Sequence, residues 1–284
     1  VNPPQGAPVP LPALEGERLT RFEDYVAGFR CTFQRSDQLL LFRAYLRGLL
    51  ECGARKNVEA IASAAARVMM VEADLCQSLQ HFVSNSPWDA GRLFAAARAR
   101  AKPDPTAVWA VHDAVFPKKG KHSVGVQRQF ARSVGKKINC QIGVFVTRVG
   151  PAGAVPLAAR LYLPAAWLRE SAESGAKLLP PEVRAGATKA QLALALLDEL
   201  RAESGALPLA VEPGYATGEF RDALAPRGLT ECPNAAPHLA AASERLAWLN
   251  AQLGLDHFEG RTWHGWHHHV ALVFAACGFL LREA

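Results

Sequence analysis

Between Ala114 and Leu168 the chain has no aspartate and no glutamate, although its 284 residues include 26 of them. Nine basic residues fall in that span: Lys118, Lys119, Lys121, Arg128, Arg132, Lys136, Lys137, Arg148 and Arg160. A field of one sign suits phosphate or another anion, whereas the overall charge of +6 is modest for this length and specifies no partner. The cysteines, Cys31, Cys52, Cys76, Cys140, Cys232 and Cys277, form no CxxC and have no regular spacing, which excludes a disulfide framework or a zinc site as the organising feature. Long apolar runs are also missing. VALVFAACGFLL at 270–281 is too short to span a bilayer and reads as a buried helix. VNPPQGAPVPLPALEG, at the start, lacks the charged beginning and apolar middle of a signal peptide. The expectation is a soluble, cytoplasmic protein with no membrane partner.

What is present is half hydrophobic, enough for a sizeable core. After a Pro-rich tail at 1–17, a helical segment is expected over 18–105, with Leu39, Leu40, Phe42, Tyr45, Leu46, Leu49 and Leu50 at three-to-four spacing and SPWD at 86–89 as a stop and restart. AKPDP at 101–105 reads as a linker. Beyond it VWAV, SVGVQRQF, INCQIGVFVTRV and ARLYLP are short and β-branched or alternating, which predicts neighbouring strands. TKAQLALALLDELRAES at 188–204 is an amphipathic helix with Thr188 as its cap, and LPLAVEPGY returns as a buried strand. This order predicts an α/β fold, a mixed sheet flanked by helices, over 106–284.

Several blocks carry a family likeness. VHDAVFPKKGKHSVGVQRQF, KINCQIGVFV, RLYLPAAW, TKAQLALALLDEL, GYATGEFRDAL and QLGLDHFEGRTWHGWHHHVALVF resemble the DDE transposases of bacterial insertion sequences, of the superfamily-endonuclease type frequent in actinomycetes; 35–59 resembles their helical N-terminal part. The resemblance implies an RNase-H-like core in which three carboxylates hold two divalent metals at a phosphodiester. Asp113 stands where the first acid lies and Glu212, in EPGYA, where the second belongs. In ASERLAWLN at 242–250, Ser243 takes the place of the third acid. Glu244 is one residue away, about 100° around a helix. The strand-rich insertion that such proteins carry before the last catalytic helix is missing near 230–237.

The expected product is a transposase descendant without strand-transfer activity. Its old carboxylate pocket would serve acid-base or acyl chemistry on a small molecule, as in natural-product biosynthesis, with Asp113, Glu212, Ser243 and His268 as catalytic candidates. Lys119, Lys121, His112 and Trp266 are the binding candidates. No cofactor or metal is expected; Mg or Mn, on Asp113 and Glu212, would enter only if ancestral chemistry survives. The alternatives are a nucleic-acid-binding regulator using the basic 114–168 stretch and a residual metal-dependent nuclease using Glu244. The oligomeric state is left open.

Overall fold

A computed structural model describes residues 11–53, 55–70, 74–170 and 179–283. Most of the Pro-rich tail expected at 1–17 therefore lies outside the described residues. The chain divides into two compact units, Pro103–Leu246 and the combination of Pro3–Lys102 with Ala247–Ala284.

The helical unit begins with α1 (Gly16–Ala27), α2 (Ser36–Glu51), α3 (Val58–Met69), α4 (Leu75–Ser84) and α5 (Ala90–Arg98). Local chemistry sets several starts: the side chains of Asn57, Asp74 and Asp89 accept hydrogen bonds from backbone N–H groups in the first turns of α3, α4 and α5. On α2, Phe42, Tyr45, Leu46 and Leu49 are buried as the periodicity predicts, while Leu40 is 60 % exposed.

The sheet unit runs β1 (Val108–Pro117), β2 (Gln127–Ala131), β3 (Lys136–Gly150), β4 (Gly153–Tyr162), α6 (Ala165–Glu170), α7 (Lys189–Ser204), β5 (Leu209–Val211), α8 (Gly218–Leu224) and the start of α9 (Ala236–Leu253). The sheet is mixed. β3 pairs antiparallel with β1, β2 and β4, and β5 lies parallel beside β1, with Trp109 opposite Leu209 and Val111 opposite Val211. Four strands, a helix and a parallel fifth strand make the RNase-H-like arrangement that the sequence predicted. Successive side chains on β1 face opposite sides. Trp109 and Val111 join the core with Leu196, Leu197 and Leu200 of α7 and Phe220 of α8, whereas Val108 and Ala110 join the core with Ala242 of α9. The alternation continues to the end of the strand and places His112 and Asp113 on different faces.

The last helix, α10 (Trp263–Glu283), corrects a boundary. The sequence reading carried one core from 106 to 284, but the chain after Leu246 belongs to the helical unit. The physical reason is that α10 is buried on every side: Gly265 to Cys277 is buried without interruption. Such a helix needs neighbours all round, and α2, α4 and α5 supply them.

Within this unit α2 and α3 come close at Gly48, where an added Cβ would stand 2.3 Å from the Ile61 carbonyl oxygen. Alanine favours helix over glycine by about 1 kcal/mol, but this clash is with backbone and no rotamer relieves it. Gly48→Ala is expected to destabilise the chain by roughly 1–3 kcal/mol net, read as a lower urea midpoint with an unchanged slope; a rise in the midpoint would mean the two helices are not this close.

Candidate functional site

β5 ends at Val211, and Glu212 follows it beside β1, its backbone N–H donating to the Val111 carbonyl at 3.0 Å. The next N–H of interest on β1, that of Asp113, donates to Glu212 Oε2 at 3.0 Å. Parallel pairing thus brings together two acids 99 residues apart in the chain. They line a cavity of about 130 Å³ with His112, Val115, Arg132, Ser133, Leu239 and Ser243. Three of the four catalytic candidates and one binding candidate therefore share one pocket. Glu244 is exposed and is not part of the lining, so the helix presents Ser243 there instead. The Ser243 hydroxyl donates to the Leu239 carbonyl of its own helix at 2.9 Å.

The Asp113 side chain is only 7 % exposed, and both its oxygens are engaged. Lys189 Nζ donates to Oδ2 at 2.6 Å and the Tyr215 hydroxyl to Oδ1 at 2.5 Å. Tyr215 is itself buried; burial, and then the Asp113 charge, push its phenol well above the usual range, so it stays a donor. Glu212 Oε1 stands 3.6 Å from Arg132 Nε, a looser pair on the solvent side. Burial raises the Glu212 pKa above the ordinary carboxylate value, and the Asp113 N–H opposes that shift only in part.

His112, 3 % exposed, holds Nε2 2.8 Å from Thr147 Oγ1, while its Nδ1 has no hydrogen-bond partner among the described residues. Burial pushes its pKa down to about 4, so the ring is neutral near pH 7. The Thr147 hydroxyl is buried, and the His112 ring is the partner it meets. A hydroxyl can donate to Nε2 or accept from it, so this contact is met by either neutral tautomer.

The remaining candidates lie elsewhere. Lys119 and Lys121 are exposed on a loop that the Asn139 side chain ties to β3 through the carbonyls of Lys118 and Gly120. His268 and Trp266, expected at the site, are instead built into the core of the helical unit. The His268 ring stacks on Trp88 at 3.7 Å with Nδ1 and Nε2 each 2.8 Å from a carbonyl, of Val83 and of Trp88. Trp266 is 1 % exposed. Two consecutive histidines on one helix cannot point the same way, and full burial of α10 directs His268 inward.

Sequence reasoning missed Lys189 and Tyr215. A signal existed for the first: Lys189 opens α7 directly after the Thr188 capping box, where the helix dipole disfavours a cation. A cation placed against that dipole implies a dedicated counter-charge.

A buried acid within β1 and a second just after the parallel strand beside it form a carboxylate pair on an RNase-H-like sheet. The chain belongs to the DDE superfamily endonuclease family, whose model matches residues 28–232, well over half of it. No curated protein and no solved structure matches the chain. The matched region stops before α9.

The two-metal centre that this family implies does not fit the residues present. Both Asp113 oxygens already carry hydrogen bonds, one from a full positive charge, and a neutral serine lines the pocket from α9. Among the described residues no group of three or more His, Cys, Asp and Glu is arranged to hold a metal ion. Among them, too, no helix is long and apolar enough to cross a membrane.

His112 gives the site a pH signature. A folded-state pKa near 4 against about 6.5 in the unfolded chain means that the unfolded form takes up the proton first as pH falls. The stability associated with neutral His112 is full above about pH 6.5 and is lost toward pH 4. His112→Gln should therefore reduce the loss of unfolding free energy between pH 7 and pH 5 by about 2 kcal/mol; equal losses in both proteins would show that the ring titrates normally.

Proposed function

We propose that this chain is a transposase-type DDE protein, of the insertion-sequence kind found in actinomycetes, that has given up two-metal strand transfer and acts by holding polynucleotide. The observation that carries the reading is the Lys189 ammonium 2.6 Å from Asp113 Oδ2. A carboxylate already paired with a lysine and a phenol has little to gain from a divalent cation, which would have to displace the lysine into a half-buried position. Ser243 in place of the third acid and the short connection from α8 to α9, where related proteins carry a DNA-processing insertion, support the same conclusion. Binding is supported by the acid-free stretch: Lys119, Lys121, Arg128, Lys136 and Lys137 are all exposed.

A second reading keeps the pocket as an acid-base site for a small molecule, with Glu212 as proton carrier. Its support is the raised Glu212 pKa in a pocket that His112 also lines. A cavity of about 130 Å³ limits such a substrate to a few heavy atoms. Biosynthesis of a natural product would require a small precursor or a small reactive group entering from a larger one.

Calorimetric titration with Mn²⁺, Mg²⁺ and a short duplex, on the wild type and on Asp113→Asn, separates these readings. The expected result is salt-sensitive duplex binding that is the same in both proteins, with no metal binding that depends on Asp113 and no Mn²⁺-dependent nicking of supercoiled plasmid. Nicking by the wild type that Asp113→Asn abolishes would overturn the proposal. An absence of duplex binding, with a small acid or amide raising the melting temperature of the wild type but not of Glu212→Gln, would establish the second reading in its place.

A further inference from the structure

Among the described residues β2 pairs only with β3, through Gln127–Ala131 against Lys136–Cys140. Its inner face carries Ala131, packed with Cys140 and Ile142. Its outer face carries Arg128 and Phe130, and the residues directly opposite them on β3 are Asn139 and Lys137. Phe130 is 53 % exposed, among the most exposed large apolar side chains described. Lys137 stands across from it and Arg128 two residues before, about 7 Å along the strand, while Lys136 lies opposite Ala131 and Arg132, two residues after, pairs with Glu212. Lys119 and Lys121 belong to the loop fastened to Asn139, which pairs with Arg128.

Charge on an edge strand commonly serves to keep other strands from pairing with it. That explanation covers the lysines and arginines but not the ring among them, because an exposed phenylalanine on an edge invites the association that the charges would prevent. A partner that uses both is needed. Phosphate uses the cations, and an apolar flat surface uses the ring.

We infer that the outer face of the β2–β3 hairpin binds an unpaired nucleic-acid strand, with a base stacked on Phe130 and the flanking phosphates met by Arg128, Lys137 and the Lys119–Lys121 loop. This rests on the polynucleotide reading given above and narrows it to one surface and one kind of strand. The choice of an unpaired strand follows from the ring. In a duplex both faces of each base are covered by its neighbours, so only the cations would engage it; an unstacked base has a free face, and base–aromatic stacking contributes about 1–3 kcal/mol. A polyanion without bases would gain nothing from Phe130.

The test uses the full chain with three probes: a fluorescent oligothymidylate of about 15 nucleotides, a duplex, and heparin as a polyanion without bases. Phe130→Ala should weaken binding of the single strand by roughly tenfold and leave heparin affinity unchanged, with Phe130→Trp restoring the strand. Lys137→Ala should weaken all three probes and flatten the salt dependence of each. Since Phe130 is exposed, thermal melting should be the same for wild type and both ring variants. Equal single-strand affinity in wild type and Phe130→Ala, while duplex and heparin still bind, would overturn the stacking inference and leave the polynucleotide reading standing. Failure of every probe to bind would overturn both.

Discussion

Asp113 is an ionisable group with almost no access to water, and such a group must either become neutral or acquire a compensating charge. Here the compensation is Lys189, anchored at the first turn of α7, with Tyr215 completing the second oxygen. Much of the site's composition follows from that pair. One monovalent cation balances one carboxylate, and Arg132 stands near enough to Glu212 to offset part of a second. A third acid on α9 would add a negative charge to a pocket whose lining holds one cation, Arg132, already beside Glu212. Ser243, where the resemblance places an acid, is thus the electrostatically consistent residue once Lys189 has taken the place of divalent charge. Glu212 shows a raised pKa because burial outweighs the help of Arg132, which is half exposed and 3.6 Å away.

The framework was legible because it depends on local rules. The apolar VWAV placed the start of β1, which runs on through Asp113 to Pro117; the Thr188 cap placed the start of α7; LPLAV placed β5, and the family resemblance set Asp113 and Glu212 as a pair. The pairing of Asp113 with Lys189, 76 residues away, was not legible. Reading a motif for acids gives no weight to the cation that neutralises one, and only the misfit of a lysine at a helix N-terminus hinted at it. His268 failed for the opposite reason. Three histidines in a row draw attention as a cluster, but the apolar run that follows them fixes the helix as buried on all sides, and a buried ring between two carbonyls is held for packing. The boundary at Leu246 was hidden because α9 continues through it as one regular helix, with neither proline nor glycine after Pro237 to mark the change.

The two surfaces of the sheet unit that remain chemically expressive differ in scale, and scale separates what each can take. The pocket at Asp113 and Glu212 measures about 130 Å³, well below the roughly 300–1,000 Å³ of a site for a drug-sized ligand. No nucleotide can be enclosed there. A polymer must be met on an open face, and an open face is worth most to a charged polymer where its own charges are of one sign and lie along its path. The β2–β3 hairpin has that property because the absence of acids across 114–168 leaves no carboxylate from β2, β3 or their connections among its cations. If cleavage was lost by neutralising Asp113 from within, the change required nothing of this outer face, whose charges sit on β2 and β3 while Asp113 lies on β1. Loss of chemistry and retention of binding are then physically independent, which is why a chain can give up one and keep the other.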